Sequence, residues 1–266
     1  MKLVVSNQRG GVGKTTTATS LARSFADLGK RVLLIDTDSQ GSVSAVLGLR
    51  PEYALYDLLI SQIAFKMCVI PAHPNIDVVC SDRRTMEAED VITSRMGREM
   101  AFEIAFSPHD PDYDVVIIDV APSLTLFQTC AMMYTRNLLI PAAMDSLSAA
   151  GAASNFQAID TINRMFRVTP PIRTIGILPV IVDRRLQMTD IVLEALEGLA
   201  VRENVHMLPA VRTDTQVVKA GRVRKFLADF DPKSKALEDY NRVAQILLDN
   251  NRADKVNDVR VAYQPA

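Results

Sequence analysis

Asn7-Gln8-Arg9-Gly10-Gly11-Val12-Gly13-Lys14-Thr15-Thr16 is the stretch that decides the fold of this chain. Ahead of it lies a short apolar run, Leu3, Val4 and Val5; behind it Ala18, Leu21, Ala22, Phe25 and Leu28 recur at helical spacing. Strand, glycine loop and helix in that order form the context in which a loop holds a phosphate chain. Glycines let the backbone fold back so that successive N–H groups point inward at the anion. The helix beginning near Lys14 adds its positive end. Such a loop gathers Gly10, Gly11, Val12, Gly13, Lys14, Thr15 and Thr16 around a nucleotide, with Lys14 reaching the β- and γ-phosphates and the Thr15 hydroxyl holding Mg²⁺. A glycine-rich turn before a helix is the plainer reading, and seven specified residues in this context leave it little room.

Two later runs join the loop. Arg31-Val32-Leu33-Leu34-Ile35 reads as a buried strand and closes on Asp36-Thr37-Asp38-Ser39-Gln40-Gly41. Ligands of open α/β sheets bind at the carboxyl ends of the strands, where these two acids fall. Acids in such a place can also simply cap the next helix; beside a phosphate loop the functional reading is preferred. Asp114-Val115-Val116-Ile117-Ile118-Asp119 is a second apolar strand ending in an acid, and Asp119 there holds Mg²⁺ through a water.

Together these runs resemble the ParA/MinD superfamily, whose deviant Walker A loop is written K-G-G-x-G-K-T-T. An ordinary P-loop would carry glycine where Gln8 stands, and Arg9 stands where the family has its signature lysine. Asp36 to Gly41 is similar to the family's D-x-D-P-Q-G run with Ser39 for proline, and Val120-Ala121-Pro122-Ser123 to its C-P-P-S. Leu208-Pro209 and Phe230-Asp231-Pro232-Lys233-Ser234 look like its late I-P and Y-D-P-x-S runs. The resemblance, closest to small partition ATPases of the ParA/Soj type, runs from residue 2 to about 250. It implies ATP with Mg²⁺, Asp38 as the residue that positions or deprotonates the attacking water, Asp36 as support for the Mg²⁺ shell, and Pro209 beside the nucleotide. It also implies that Arg9 reaches across a dimer interface to the partner's nucleotide, since an arginine keeps the charge and can grip phosphate oxygens with two bonds, the alternative being a local loop cation that serves its own subunit's phosphates. No N-K-x-D run that would read guanine is present.

Composition sets the bounds. The chain has 266 residues, 48% of them hydrophobic, and a net charge of −1, which describes a globular protein with a large core and leaves any DNA surface to be local. Cys68, Cys80 and Cys130 are scattered, so three reduced thiols in a cytoplasm are expected rather than disulfides or a metal site. His73, His109 and His206 are isolated and carry no ligand pattern. No apolar run reaches membrane-spanning length, and the N-terminus leads straight into a strand.

The expected architecture is one α/β domain over residues 1–250, a mostly parallel twisted sheet flanked by helices, followed by a polar tail over 251–266. Helices are predicted over Tyr53–Ile63, Arg83–Phe106, Leu124–Tyr134, Leu147–Phe166 and Asp190–Glu203. Strands are predicted over Ile76–Cys80, Asn137–Pro141, Ile172–Leu178 and Val205–Leu208. Asp231-Pro232 reads as the N-cap and first residue of a last helix.

Arg212, Lys219, Arg222, Arg224 and Lys225 fall within fourteen residues, opposed only by Asp214, and Arg184 and Arg185 form a second small group. On its own, a basic cluster of this kind is more often a solvated face. The resemblance points instead to DNA bound without sequence preference, through phosphate contacts. It further implies an ATP-bound homodimer, slow hydrolysis stimulated by a ParB-like protein on the cargo, and a cytoplasmic, nucleoid-associated life partitioning a plasmid, chromosome region or other cargo. The alternative within the superfamily is a MinD-like membrane-cycling ATPase, which ends in a basic amphipathic helix; the tail here has no apolar face. Iron–sulfur carriers of the superfamily need paired cysteines, and its tyrosine kinases need a tyrosine-rich tail; both features are missing.

Overall fold

In the computed structural model, which describes residues 1–262 and side chains as far as Ala253, the chain alternates strand and helix almost throughout. The first half runs β1 (Lys2–Val5), α1 (Lys14–Asp27), β2 (Val32–Asp36), α2 (Ser42–Leu47), α3 (Leu55–Leu59), α4 (Phe65–Cys68), β3 (Val69–His73), β4 (Ile76–Val79) and α5 (Arg84–Thr93). After it come α6 (Ala101–Phe106), β5 (Val115–Asp119), α7 (Leu126–Thr135), β6 (Asn137–Ala143), α8 (Ser148–Phe166) and β7 (Arg173–Val180). The chain then becomes helical: α9 (Gln187–Arg202), α10 (Thr215–Arg222), α11 (Leu227–Phe230) and α12 (Lys235–Ala262).

Seven strands pair in the order β3-β4-β2-β5-β1-β6-β7, all parallel except the edge strand β3, which runs antiparallel to β4. The expected α/β class, a mostly parallel sheet flanked by helices, is what forms. The reason is visible in the side-chain alternation. Leu3, Val5, Leu34 and Ile117 point to one face, where α1 and α12 pack; Val4, Leu33, Ile35 and Ile118 point to the other, under α5 to α9. Burying both faces requires uninterrupted apolar strands, and β2 and β5 are buried at every position. Each such side chain contributes about 1.5–3 kcal/mol by leaving water. Truncating one to alanine costs about 2–5 kcal/mol.

Several expected elements differ. The single helix over Arg83–Phe106 is two: α5 stops at Thr93, and a short 3₁₀ turn over Arg98–Met100 leads into α6. Gly97, a poor helix residue, stands at the break. The helix over Tyr53–Ile63 shrinks to the five residues of α3, whose start is held by the Asp57 carboxylate on Ala54 N at 2.9 Å. Val205–Leu208 forms no strand and makes only an isolated bridge, Met207 to Ile177. The last helix starts three residues later than Asp231-Pro232 suggests. Asp231 instead turns the chain by accepting Lys233 N at 3.1 Å, and Ser234 Oγ caps the helix by accepting Leu237 N at 3.3 Å. The helix α12 then continues through residue 251, where the sequence places a separate tail; residues 263–266 of that stretch lie outside the described residues. Among the described residues no helix is long and apolar enough to cross a membrane.

Candidate functional site

Three neighbouring strands deliver the site. β1, β2 and β5 end in register, with Val5 and Asp36 both opposite Asp119, and β1 continues directly into the glycine loop. Gly11 (φ 77°) and Gly13 (φ 74°) take left-handed backbone that side chains with a Cβ avoid, and this turns the loop back on itself. Gly13 is also the residue ahead of α1, whose first turn has neither a side-chain cap nor an acid. The first amides of that helix are therefore left for an anion.

Lys14 is buried and donates from Nζ to the carbonyls of Asn7 at 3.2 Å and Arg9 at 3.0 Å. Burial lowers its pKa, against the pull of Asp119 and Asp38. The Thr15 hydroxyl donates to Asp119 Oδ2 at 2.6 Å, while Asp119 Oδ1 is buried without a hydrogen-bond partner. Burial holds the Asp119 carboxyl well above the usual range, opposed by the Thr15 bond and the Lys14 charge. A threonine hydroxyl beside an orphaned carboxylate oxygen is an oxygen donor set suited to Mg²⁺ and its waters. The site thus fits the group that the sequence implies.

Asp36 is placed differently from Asp119. Its two oxygens accept the amides of Asp38 and Val43, each at 3.0 Å, and the residue is fully buried. Burial first, and then the charge of Asp119, push its carboxyl far up. Asp36 therefore shapes the loop that carries Asp38, and the carboxylate that meets Thr15 is Asp119. Asp38 is half-buried; Oδ1 accepts Gln40 N at 3.0 Å, and its other oxygen has no hydrogen-bond partner among the described residues. Arg9 is exposed on the rim, its Nε 3.8 Å from Asp145 Oδ1.

A cavity of about 300 Å³ opens beside the loop. Gly11, Gly13, Ile181, Val211, Val217 and Tyr240 are among its walls, which are mainly apolar. Ile181 has φ 58°, a left-handed conformation that is rare for a β-branched side chain and costs on the order of 1–3 kcal/mol. No feature of the sequence marks it. Pro209 is half-buried in the segment that runs along β7, held by Leu208 N on Ile177 O at 2.9 Å and Val211 N on Pro179 O at 2.8 Å. The cavity lining begins two residues after it.

The structure divides the basic residues. Arg212 donates to Asp239 at 2.8 Å and to Glu238 at 2.7 Å, so its charge is met by α12 and its pKa is held high. Asp214, the acid that opposes the cluster in sequence, caps α10 by accepting Gln216 N at 3.0 Å and also binds Ser234. Arg185 grips Asp183 with two bonds, and Arg184 beside it is exposed. Lys219, Arg222, Arg224 and Lys225 are all exposed, and none forms an ion pair among the described residues. Lys219 and Arg222 lie in the second half of α10 and Arg224 and Lys225 just beyond it, while Thr215, Val217 and Val218 in its first half line the cavity beside the glycine loop.

Residues 1–169 match a family model described as an AAA domain. The chain is 28% identical over 250 residues to the chromosome partitioning protein ParA of Myxococcus xanthus, covering 92% of this chain and 87% of that one. It is equally 28% identical to the sporulation initiation inhibitor protein Soj of Bacillus subtilis, covering 93% and 98%. Among solved structures, cobyrinic acid a,c-diamide synthase from Mycobacterium smegmatis with bound ADP and magnesium superposes with a TM-score of 0.80 at 26% identity, over 95% of this chain and 96% of that one.

Proposed function

The chain belongs to the AAA-domain family in its ParA/Soj-type branch, and from that premise we propose a positioning ATPase that dimerises on ATP, holds DNA without sequence preference in that state and partitions a plasmid, a chromosome region or another cargo. That it is an ATPase using ATP and Mg²⁺ follows from the family. Lys14 and the amides of Gly11 to Thr16 would bind the phosphates, and Thr15 with Asp119 would hold the metal, which when bound would supply positive charge against the phosphates. Asp38, with a free carboxylate oxygen on a loop tied down by Asp36, orients the water, and the apolar cavity takes the base. Arg9, exposed on the rim, reaches the nucleotide of a second copy.

The observation that carries the DNA part is the group of four exposed cations, without ion pairs among the described residues, on the second half of a helix and just past it, where the first half walls the nucleotide cavity. Contacts of that kind go to phosphates and read no bases. A ParB-like protein on the cargo is the expected stimulator of hydrolysis, and a cytoplasmic, nucleoid-associated location follows from the same reading. The test is co-sedimentation with plasmid DNA and with anionic liposomes, each with ATP and with ADP, alongside light scattering. ATP-dependent pelleting with DNA and a doubled mass are expected. Pelleting with liposomes alone would transfer the protein to the membrane-cycling reading.

A further inference from the structure

The chain leaves β1 through Ser6 and Asn7, each fastened to the elements on the β6 side, and the fastening converges on Arg9. Ser6 Oγ donates to Asn155 Oδ1 at 3.0 Å and accepts Gln128 Nε2 at 2.6 Å, and all three residues are buried. The Ser6 bond thus ties α8 to the end of β1, and Asn155 Nδ2 in turn donates to Gly151 O one turn earlier in α8 at 2.8 Å. Asn7, also fully buried, donates from Nδ2 to Pro141 O at 2.8 Å and accepts Arg9 N on Oδ1 at 3.0 Å. The backbone direction of Arg9 is thereby fixed by a side chain two residues earlier.

Against this turn lies Gly151. A Cβ there would sit 2.3 Å from Asn7 Oδ1, 3.0 Å from Arg9 Cβ and 3.3 Å from Arg9 N. No heavy atom fits at 2.3 Å, and Asn7 Oδ1 cannot swing aside without giving up the Arg9 amide. The absence of a side chain at 151 is therefore a condition for the Asn7–Arg9 turn. None of these contacts involves Thr15, Asp38 or Asp119, and Lys14 meets the turn only at the backbone carbonyls of Asn7 and Arg9.

We propose that Asn7 and Gly151 are positioning residues for Arg9: together they set the direction in which its guanidinium leaves the loop, and so govern dimer-linked turnover apart from nucleotide affinity. The proposal rests on the dimer role given to Arg9 above. A displacement of about 1 Å at a catalytic side chain can reduce turnover about a hundredfold, while a monomer's grip on phosphate depends on residues further along the loop.

The experiment compares Gly151→Ala, Asn7→Ala, the double variant and Arg9→Ala with wild type. ATP affinity is read by calorimetry with a non-hydrolysable analogue, ATP-dependent mass by light scattering, turnover by phosphate release, and folding by circular dichroism. Gly151→Ala is expected to bind ATP within about threefold of wild type, to lose about 10- to 100-fold in kcat and to need more ATP to dimerise. Because Asn7→Ala removes the nearest atom that the new methyl would strike and leaves only the looser contacts with Arg9, the double variant should lose less than the two single losses combined, a non-additive cycle that general loosening would not give. Should Gly151→Ala not fold, Asn7→Ala carries the same split between kcat and affinity without a clash. Wild-type turnover and dimerisation in Gly151→Ala, or affinity falling in step with kcat, overturns the proposal. An inactive Arg9→Ala beside an unaffected Gly151→Ala overturns the positioning alone; an Arg9→Ala that dimerises and turns over normally removes the dimer role of Arg9 and the positioning with it.

Discussion

The glycine loop and the end of α10 both present cations, and they hold them in opposite ways. Lys14 is buried, donates to two carbonyls of its own loop and lies in the field of two carboxylates. Lys219, Arg222, Arg224 and Lys225 are exposed and unpaired among the described residues. A buried cation acts at one place with high energy; exposed ones act as a set, each weakly, through a screened field. Nearby Arg212 and Arg185 show what becomes of exposed cations when a carboxylate is in reach: they are answered within the chain.

The sharpest break between the two regions is Lys14→Ala. Removing one partner from a buried, hydrogen-bonded charge pair should weaken ATP binding by about 10³-fold or more, measured by calorimetry. Binding equal to wild type would remove the loop from the site altogether. Next comes Asp38→Ala, which should retain nucleotide and dimer yet lose about 10²-fold or more in turnover, and should stay on DNA once loaded. Unchanged phosphate release in that variant would give the water to another residue.

At the exposed region the effects are smaller and of a different form. Replacing Arg222, Arg224 and Lys225 together should weaken ATP-dependent binding to every duplex alike, and should lower the log–log salt slope by about 0.9 for each DNA phosphate that is no longer neutralised. Arg212→Ala is the control: its charge is already met by Asp239 and Glu238, so the slope should stay as in wild type. If the Arg212 variant moves the slope and the triple variant does not, the division between answered and free cations is reversed.

The smallest effect separates function from stability within the loop region. Asp119→Asn keeps the shape but removes a charge that burial disfavours. Without nucleotide or Mg²⁺ it should melt higher by about 2–4 °C for each kcal/mol relieved. An acid whose folded pKa is raised loses stability as pH climbs from its unfolded value near 4, so the gain should be absent in acid and full above the raised folded value. A variant that melts lower at every pH would show that the Thr15 bond outweighs the buried charge.

The same contrast explains how much can be read from the sequence. Glycine loop, Asp36-Thr37-Asp38 and Asp119 are legible because each is a local pattern at the end of an apolar strand, and the strands themselves need only their own composition to be recognised. Asp36 is legible as a site acid and illegible as a loop anchor, since the amides it accepts belong to Asp38 and Val43 folded back upon it. Ile181 and Gly151 carry no local signal; their roles come from a strained φ and from a neighbour more than 140 positions away. The basic stretch reads as one cluster because Glu238 and Asp239, which answer Arg212, arrive from α12. A helix predicted across Arg83–Phe106 fails for a simpler reason: charge and periodicity continue through Gly97 while the backbone does not.

The short helix α10 gives the molecule a lever. Eight residues at about 1.5 Å each make a rod about 12 Å long, too short to bend and pinned at its first turn by Asp214. Beyond its end Val223, Arg224 and Lys225 stay bonded to the carbonyls of Lys219, Gly221 and Ala220, so the turn that bears the cations travels with the rod. A shift of the cavity wall at Thr215, Val217 and Val218 would therefore be passed along the rod to Arg222, Arg224 and Lys225 together. On the proposed DNA reading, a surface built in this way would engage or release its phosphates together, so that binding and release would be a step rather than a slope in time.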